Sequence, residues 1–93
     1  TPEGRVKDKV TKLLNSYNVY YFFPVTGGYG VSGIPDIVCC HNGRFIAFEC
    51  KAGKNKTTAL QDRQLEMIRQ SGGIALVINE ENIHEVENII NGT

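Results

Sequence analysis

Hydrophobic positions in the first third of the chain predict a helix followed by a strand. Residues 3–16 place apolar side chains at the spacing of one helix face, at Val6, Val10, Leu13 and Leu14. Residues 19–23 are β-branched or aromatic, and Pro24 ends the strand that they predict. Residues 26–33 contain four glycines, which indicates either a mobile loop or a close approach of the backbone to a ligand.

Two apolar runs in the middle of the chain predict a β-hairpin. They cover residues 36–41 and 44–52 and are joined by Asn42-Gly43, the dipeptide that two-residue type I′ turns prefer. A two-residue turn fixes the register, so that His41 faces Arg44 and each further pair follows. In that register Asp36 lies directly opposite Glu49, and two carboxylates face each other across the hairpin.

The second half of the chain predicts a crossover helix, a strand and a closing helix. Residues 59–71 have helical spacing and end at Gly72-Gly73, and residues 74–78 form a continuous apolar run typical of a buried strand. A last helix is predicted over residues 82–91. Because a helix that connects parallel strands crosses over right-handedly, we expect one three-layer α/β domain over residues 1–93, with helices on both faces of a mixed sheet.

Composition and charge narrow the class of protein. The 93 residues are 41% hydrophobic and 22% charged, which suits a single small globular core. Ten basic and ten acidic residues balance, but residues 70–93 hold four acids and no base, so residues 1–69 carry a net charge of +4. That part of the chain is suited to a polyanionic partner.

Cysteine content and hydropathy predict a cytoplasmic protein. The three cysteines lie in apolar, strand-like runs, and their odd number disfavours a disulfide framework; they are Cys39, Cys40 and Cys50. The sequence contains no run of eighteen apolar residues and begins with polar residues, so we expect neither a membrane segment nor a signal peptide.

The facing carboxylates of Asp36 and Glu49 are the candidate chemistry of this chain. Like charges directly opposite each other destabilise a sheet, so the pair requires a cation. Lys51 lies two residues beyond Glu49 on the same face, whereas the Cys50 side chain points away and offers only its backbone carbonyl. Carboxylates, a carbonyl and water suit Mg²⁺ or Mn²⁺.

The residues alone leave two interpretations open. In the first, a divalent cation at the carboxylates promotes phosphodiester hydrolysis, while Lys51 orients or deprotonates the nucleophile or stabilises developing charge. In the second, Lys51 forms an ordinary ion pair with Glu49 or Asp36 at the end of the sheet.

The order of these motifs also resembles a known family. Gly33-Ile34-Pro35-Asp36, twelve further residues and Glu49-Cys50-Lys51 are similar to the PD-(D/E)XK nuclease signature. With the Asn-Gly hairpin, a helix that opens with Leu60-Gln61, and Gly72-Gly73 before a strand, the chain more narrowly resembles the virus-type replication-repair nuclease (VRR-Nuc) family. Archaeal Holliday-junction resolvases are similar in the same stretch. The resemblance covers nearly the whole chain and implies a restriction-endonuclease-like αβββαβ core, here with an extra C-terminal helix.

The resemblance implies roles for residues of the hairpin. Asp36 and Glu49 match the metal-binding acids of the family, and the Cys50 carbonyl matches a third ligand. Lys51 matches the catalytic lysine. The implied cofactor is Mg²⁺, for which we expect Mn²⁺ to substitute.

Two helical residues are assigned by the same resemblance, each with a competitor. Glu3 matches an additional acid that holds metal or metal-bound water, and Asp8 is its rival; an acid in a first helical turn is also favoured by the helix dipole alone. Gln61 matches a glutamine of the second helix that orients the lysine or contacts substrate. Gln64 is its rival, because both lie on one side of the helical wheel.

Further residues are candidates for contact with DNA. Basic side chains beside the site are expected to bind phosphates, and an aromatic ring in the glycine-rich segment is expected to stack on a base or ribose. Lysines of this kind are also ordinary solvated residues. The candidates are Gly30, Tyr29, Ser32, Lys54, Lys56 and Arg5.

These inferences predict a metal-dependent, structure-specific DNA endonuclease. A 93-residue chain has no separate domain for reading sequence, so recognition of DNA shape is expected and branched DNA is the favoured substrate. One site per chain cuts a four-way junction symmetrically only in a homodimer, which predicts a homodimeric Holliday-junction resolvase of a bacterial cell or phage-infected host. The alternatives are a monomeric flap or single-strand nuclease and a non-catalytic DNA-binding module.

Overall fold

A four-stranded mixed sheet between two layers of helices forms the fold. The computed structural model describes residues 1–25 and 30–93. In chain order, its elements are α1 (Pro2–Ser16), β1 (Tyr20–Phe22), β2 (Ile37–His41), β3 (Arg44–Cys50), α2 (Ala59–Gln70), β4 (Ile74–Ile78) and α3 (His84–Asn91). The strands pair in the order β1-β2-β3-β4, with the first two pairs antiparallel and β3–β4 parallel. The predicted αβββαβ core with an extra C-terminal helix is therefore confirmed.

The β2–β3 hairpin has the register that the Asn-Gly dipeptide predicts. His41 pairs with Arg44, and the ladder continues to the last pair, Ile37 with Phe48. The two turn residues have positive φ angles of 50° and 79°, as a type I′ turn requires. The register carries Asp36, one residue before β2, to the level of Glu49 in β3.

Side chains of β3 alternate between the two helical layers. Ile46, Phe48 and Cys50 are fully buried in the core that the sheet forms with α1 and α3. The helices contribute aliphatic side chains to this core, namely Val6, Val10, Leu14, Val86 and Ile90. Glu49 has the opposite orientation and meets α2. The site is thus built on the face of β3 that does not belong to this core.

Some element boundaries differ from the sequence prediction for local reasons. Helix α1 begins at Pro2, because the Thr1 side chain caps it. Helix α3 begins at His84 and not at 82, because the Asn82 side chain donates to the Val77 carbonyl at 2.8 Å and so holds the preceding turn. Strands β1, β2 and β3 are also shorter than the apolar runs that predicted them, whereas β4 covers the predicted residues 74–78.

The cysteines are free thiols, as their number and positions indicated. Burial raises the pKa of both Cys39 and Cys50 to about 12, so these two sulfurs stay protonated in the core. In the described part of the chain, no helix combines the length and apolar character needed to cross a membrane.

Candidate active site

Asp36 and Glu49 meet at the end of the sheet where β3 finishes. The backbone N–H of Asp36 donates to Glu49 Oε1 at 3.2 Å, and the N–H of Cys50 donates to Asp36 Oδ2 at 2.8 Å. Each carboxylate is therefore held by the backbone of the opposite strand segment. These two hydrogen bonds lie within the hairpin and the residue that precedes it.

Glu49 is a carboxylate in an interior position. Only 2% of its surface is exposed, and it is the one charged residue that is buried within residues 1–25 and 30–93. Burial, and after it the negative charge of Asp36, raise its pKa to about 7, although the positive charge of Lys51 acts in the opposite direction. A cation bound beside Glu49 relieves the cost of charging this group.

Lys51 lies between two acids. Its Nζ is 3.9 Å from Glu49 Oε2 and 3.9 Å from Glu3 Oε1, at the outer limit of an ion pair. Its backbone N–H donates to the Ile78 carbonyl of β4 at 2.9 Å, which fixes the start of the side chain. The structure thus brings Glu3 of α1 to the lysine, while its rival Asp8 is exposed further along the helix.

Gln61 joins α2 to the site. Its Nε2 donates to Glu49 Oε2 at 2.8 Å, and its Oε1 accepts the backbone N–H of Thr58 at 2.9 Å. Because both ends of the amide have a partner, its orientation is fixed. Gln64 instead lines a groove along α2 with Met67. Of the two glutamines that the helical wheel left equal, the structure places Gln61 at the carboxylates.

The sequence carried a signal for this choice that the helical wheel does not use. Thr58 and Gln61 form a capping box, in which the Thr58 hydroxyl also accepts the Gln61 N–H at 3.2 Å. The pattern Thr-x-x-Gln before a helix predicts that the glutamine reaches back over the helix N-terminus. Gln64 lies one turn too late to do so.

The hydrogen bond between Gly53 and Glu80 was not predicted from the sequence. Glu80, after β4, accepts the backbone N–H of Gly53 at 2.9 and 3.2 Å, and this hydrogen bond lowers the pKa of Glu80. The bond anchors the loop that follows Lys51. The two residues are 27 positions apart, and no sequence motif links them.

Five of the six predicted DNA-contact residues lie in the described part of the chain. The structure leaves five of them exposed: Gly30, Ser32, Lys54, Lys56 and Arg5. Arg5 follows Glu3 in α1, and both lysines follow Lys51 in the next loop, so their chain segments begin at the site. Tyr29 lies outside the described residues, and its contact with DNA stays a prediction, as do those of the other five.

The donor atoms at the site suit a hard divalent cation. Two carboxylates face the same end of the sheet, and the C=O of Cys50 lies on the same strand edge as its N–H, which meets Asp36. The Cys50 sulfur is buried on the other face, away from the acids. In the described ranges no cluster of three His, Cys, Asp or Glu side chains forms a metal site. Two carboxylates completed by water and substrate phosphate are typical of Mg²⁺.

Comparison with known proteins identifies the fold. No protein-family model and no curated protein matches the sequence. Among solved structures, the chain is similar to a VRR_NUC domain protein with a TM-score of 0.68 and 18% sequence identity, over 99% of this chain and 84% of that one. Likeness at this low identity reports on architecture alone. The chain has the fold of a VRR-Nuc domain, as its motifs indicated.

Proposed function

We propose that this protein is a metal-dependent nuclease that hydrolyses phosphodiester bonds in DNA. The observation that carries the proposal is the buried Glu49 carboxylate, held against Asp36 and beside Lys51 at one end of the sheet. Burial of an acid next to another acid is costly, and a bound cation offsets that cost. The VRR-Nuc fold supports a nuclease of the PD-(D/E)XK type.

The proposed cofactor is Mg²⁺, with Mn²⁺ as a substitute. Asp36, Glu49 and the Cys50 carbonyl would hold the ion, and Glu3 is proposed to hold metal or a water molecule bound to it. When bound, such a cation polarises a phosphoryl oxygen and lowers the pKa of a bound water. All of these donors are oxygen atoms, which suits a hard ion.

The side chains around the carboxylates have separate parts in this proposal. Lys51 supplies a positive charge next to Glu49, where it stabilises negative charge that develops on the phosphoryl oxygens. Gln61 holds the second oxygen of Glu49 and so fixes the rotation of that carboxylate. Asp36 is fixed by the Cys50 N–H. Such preorganisation avoids rearrangement during the reaction.

We further propose that the substrate is branched DNA and that the active form is a homodimer that resolves Holliday junctions. Arg5, Lys54 and Lys56 support phosphate binding around the site. Edge strand β1 supports contact between copies, because Tyr20 and Phe22 are 70% and 48% exposed on it. Two sites related by a two-fold axis suit the symmetry of a four-way junction.

The test is cleavage of a labelled four-way junction, beside linear duplex, flap and single-stranded DNA, in Mg²⁺, Mn²⁺ or EDTA. Glu49→Gln serves as the blank, and Glu81→Gln, at an exposed site, is the matched control. Symmetric, metal-dependent cuts restricted to the junction support the resolvase. Cuts in flaps or single strands keep the nuclease and replace the substrate. DNA binding with no cleavage of any substrate overturns the nuclease.

The role of Lys51 is tested separately from binding. Lys51→Ala is expected to lower the rate of a single turnover far more than the affinity for DNA, because its charge acts on the reacting phosphate. Lys54→Ala, three residues later in an exposed loop, is the control for a lysine that binds phosphate only. If Lys51→Ala weakens binding and leaves the single-turnover rate unchanged, Lys51 is a phosphate contact.

A further inference from the structure

The backbone of Gly33 lies directly against the first turn of α2. Its φ is +81°, and a Cβ at this position would lie 2.5 Å from the Leu60 carbonyl carbon, 2.6 Å from the Leu60 oxygen and 2.8 Å from the Gln61 nitrogen. These are main-chain atoms of a capped helix, so they cannot rotate away as a side chain would. Only glycine fits this contact.

The contact joins two parts of the candidate site. Gln61, whose nitrogen lies at the contact, donates through its side chain to Glu49. Asp36 follows Gly33 by three residues, and its backbone N–H donates to the same carboxylate. Gly33 therefore lies where the segment that carries Asp36 meets the helix that carries Gln61, and the closeness of that approach sets their separation.

We propose that Gly33 is a positioning residue: the absence of a side chain lets the loop pack against α2 so that the Gln61 amide reaches Glu49. Gly33 acts through Gln61 and does not touch the reacting atoms. The activity readout of this proposal rests on the proposed nuclease function. A second readout, the NMR signals of the Gln61 side-chain amide, does not depend on the nuclease function.

Gly43 provides the matched control. Its φ of +79° is almost the same as that of Gly33, but a Cβ there would have no atom within 4 Å. Gly43→Ala therefore introduces the strain of a left-handed alanine without a clash. Any difference between Gly33→Ala and Gly43→Ala reports the contact with α2. Asparagine tolerates positive φ and carries the same Cβ, so Gly33→Asn with Gly43→Asn repeats the comparison with less strain.

The first measurement follows the Gln61 side-chain amide by NMR in protein without DNA, with Gln61→Ala to assign its signals. We expect Gly33→Ala and Gly33→Asn to shift these signals, and the Gly43 variants to leave them in place. Unchanged Gln61 signals in folded Gly33 variants overturn the proposal. The proposal is also overturned if both Gly33 variants fail to fold while both Gly43 variants fold, because the contact would then support the whole fold and not the site.

The second measurement is the single-turnover rate of cleavage. Gly33→Ala is expected to lower it at least tenfold, to about the level of Gln61→Ala, while Gly43→Ala stays within twofold of the native protein. Because the two residues act in one chain of contacts, Gly33→Ala should add nothing in a Gln61→Ala background. Multiplied losses in the double variant overturn the proposal. If the native protein cuts no DNA, the nuclease proposal fails and the NMR measurement still decides the role of Gly33.

Discussion

Phe48 and Glu49 are neighbours in β3 and are equally buried, yet their burial has opposite energetic consequences. Phe48 is 0% exposed and packs in the core with α1 and α3, and Glu49 is 2% exposed on the face towards α2. Removing a phenyl ring from water stabilises the fold, whereas removing a carboxylate from water destabilises it. One face of the strand therefore stabilises the domain, and the other face holds a carboxylate whose burial destabilises it.

The largest effect is expected from neutralising Glu49, whose burial is unfavourable. Glu49→Gln should lower cleavage by about 10⁴-fold, equivalent to about 5 kcal/mol in the barrier, because the anionic cation ligand is lost. The same change should raise the unfolding temperature in EDTA at pH 8, since no charge is then buried. Rates on the preferred DNA and calorimetry measure the two effects. Asp36→Asn should behave similarly.

That prediction fails if Glu49→Gln still cleaves or unfolds at a lower temperature than the native protein. Retained cleavage in both the Glu49 and Asp36 variants would remove the site assignment. A lower unfolding temperature would mean that the hydrogen bonds of Glu49 with Asp36 and Gln61 outweigh the burial of its charge.

Truncating a core side chain of β3 should change the free energy by almost as much, but here the loss is in the free energy of unfolding. Phe48→Ala is expected to lower the free energy of unfolding by about 4 kcal/mol, since it leaves a cavity in a closed core. Phe45→Ala is the control on the same strand, because Phe45 is 46% exposed. Urea denaturation measures both. Equal losses in the two variants would contradict the assignment of the core to the Phe48 face.

The buried charge should also make stability depend on pH. The folded protein holds the Glu49 proton up to about pH 7, whereas the unfolded chain releases it near its ordinary pKa of 4.5. The stabilising contribution of that proton is complete below pH 4.5 and is lost as the pH rises to 7, on the order of 2–3 kcal/mol. Thermal unfolding in EDTA across this range measures it.

Glu49→Gln is the control for the pH dependence, because it cannot titrate and should lack this part of the decline. Mg²⁺ should restore stability to the native protein at pH 8 and leave Glu49→Gln largely unaffected. Parallel pH profiles of the native protein and the variant would contradict the burial of a titrating carboxylate.

The smallest effect is expected at the helix that supports Glu49. Thr58→Ala removes the oxygen that caps the Gln61 N–H and should cost about 1 kcal/mol of stability. Thr58→Ser keeps the oxygen and should cost only a few tenths of this. Chemical denaturation compares them. An equal loss in both variants would assign the effect to the threonine methyl group and not to the cap.

The parts of the fold that depend on neighbouring residues could be predicted from the sequence. Asn42-Gly43 determined the register, and the register placed Asp36 opposite Glu49 without any knowledge of tertiary contacts. The period of apolar residues predicted each helix and strand to within a few positions. The acids and Lys51 belong to this local set, so the centre of the site was also predictable.

The parts that depend on how α2 lies across the sheet could not be predicted from periodicity. A helical wheel describes one helix and does not include the strand it meets, so it left Gln61 and Gln64 equal. The approach of Gly33 to Leu60 and the hydrogen bond from Gly53 to Glu80 join residues 27 positions apart, beyond the reach of any local pattern.

Because the Gln61 side chain has two hydrogen-bond partners, transient opening of the first turn of α2 is coupled to the hydrogen bonding of Glu49. The same amide that closes the first turn of α2 also holds Glu49. Helix ends open at little cost in free energy, and each such opening leaves the carboxylate without its amide partner. Hydrogen exchange of the Gln61 backbone amide is therefore a measure of how often the site is assembled, and cation binding to Glu49, on the face of the sheet that α2 covers, should slow that exchange.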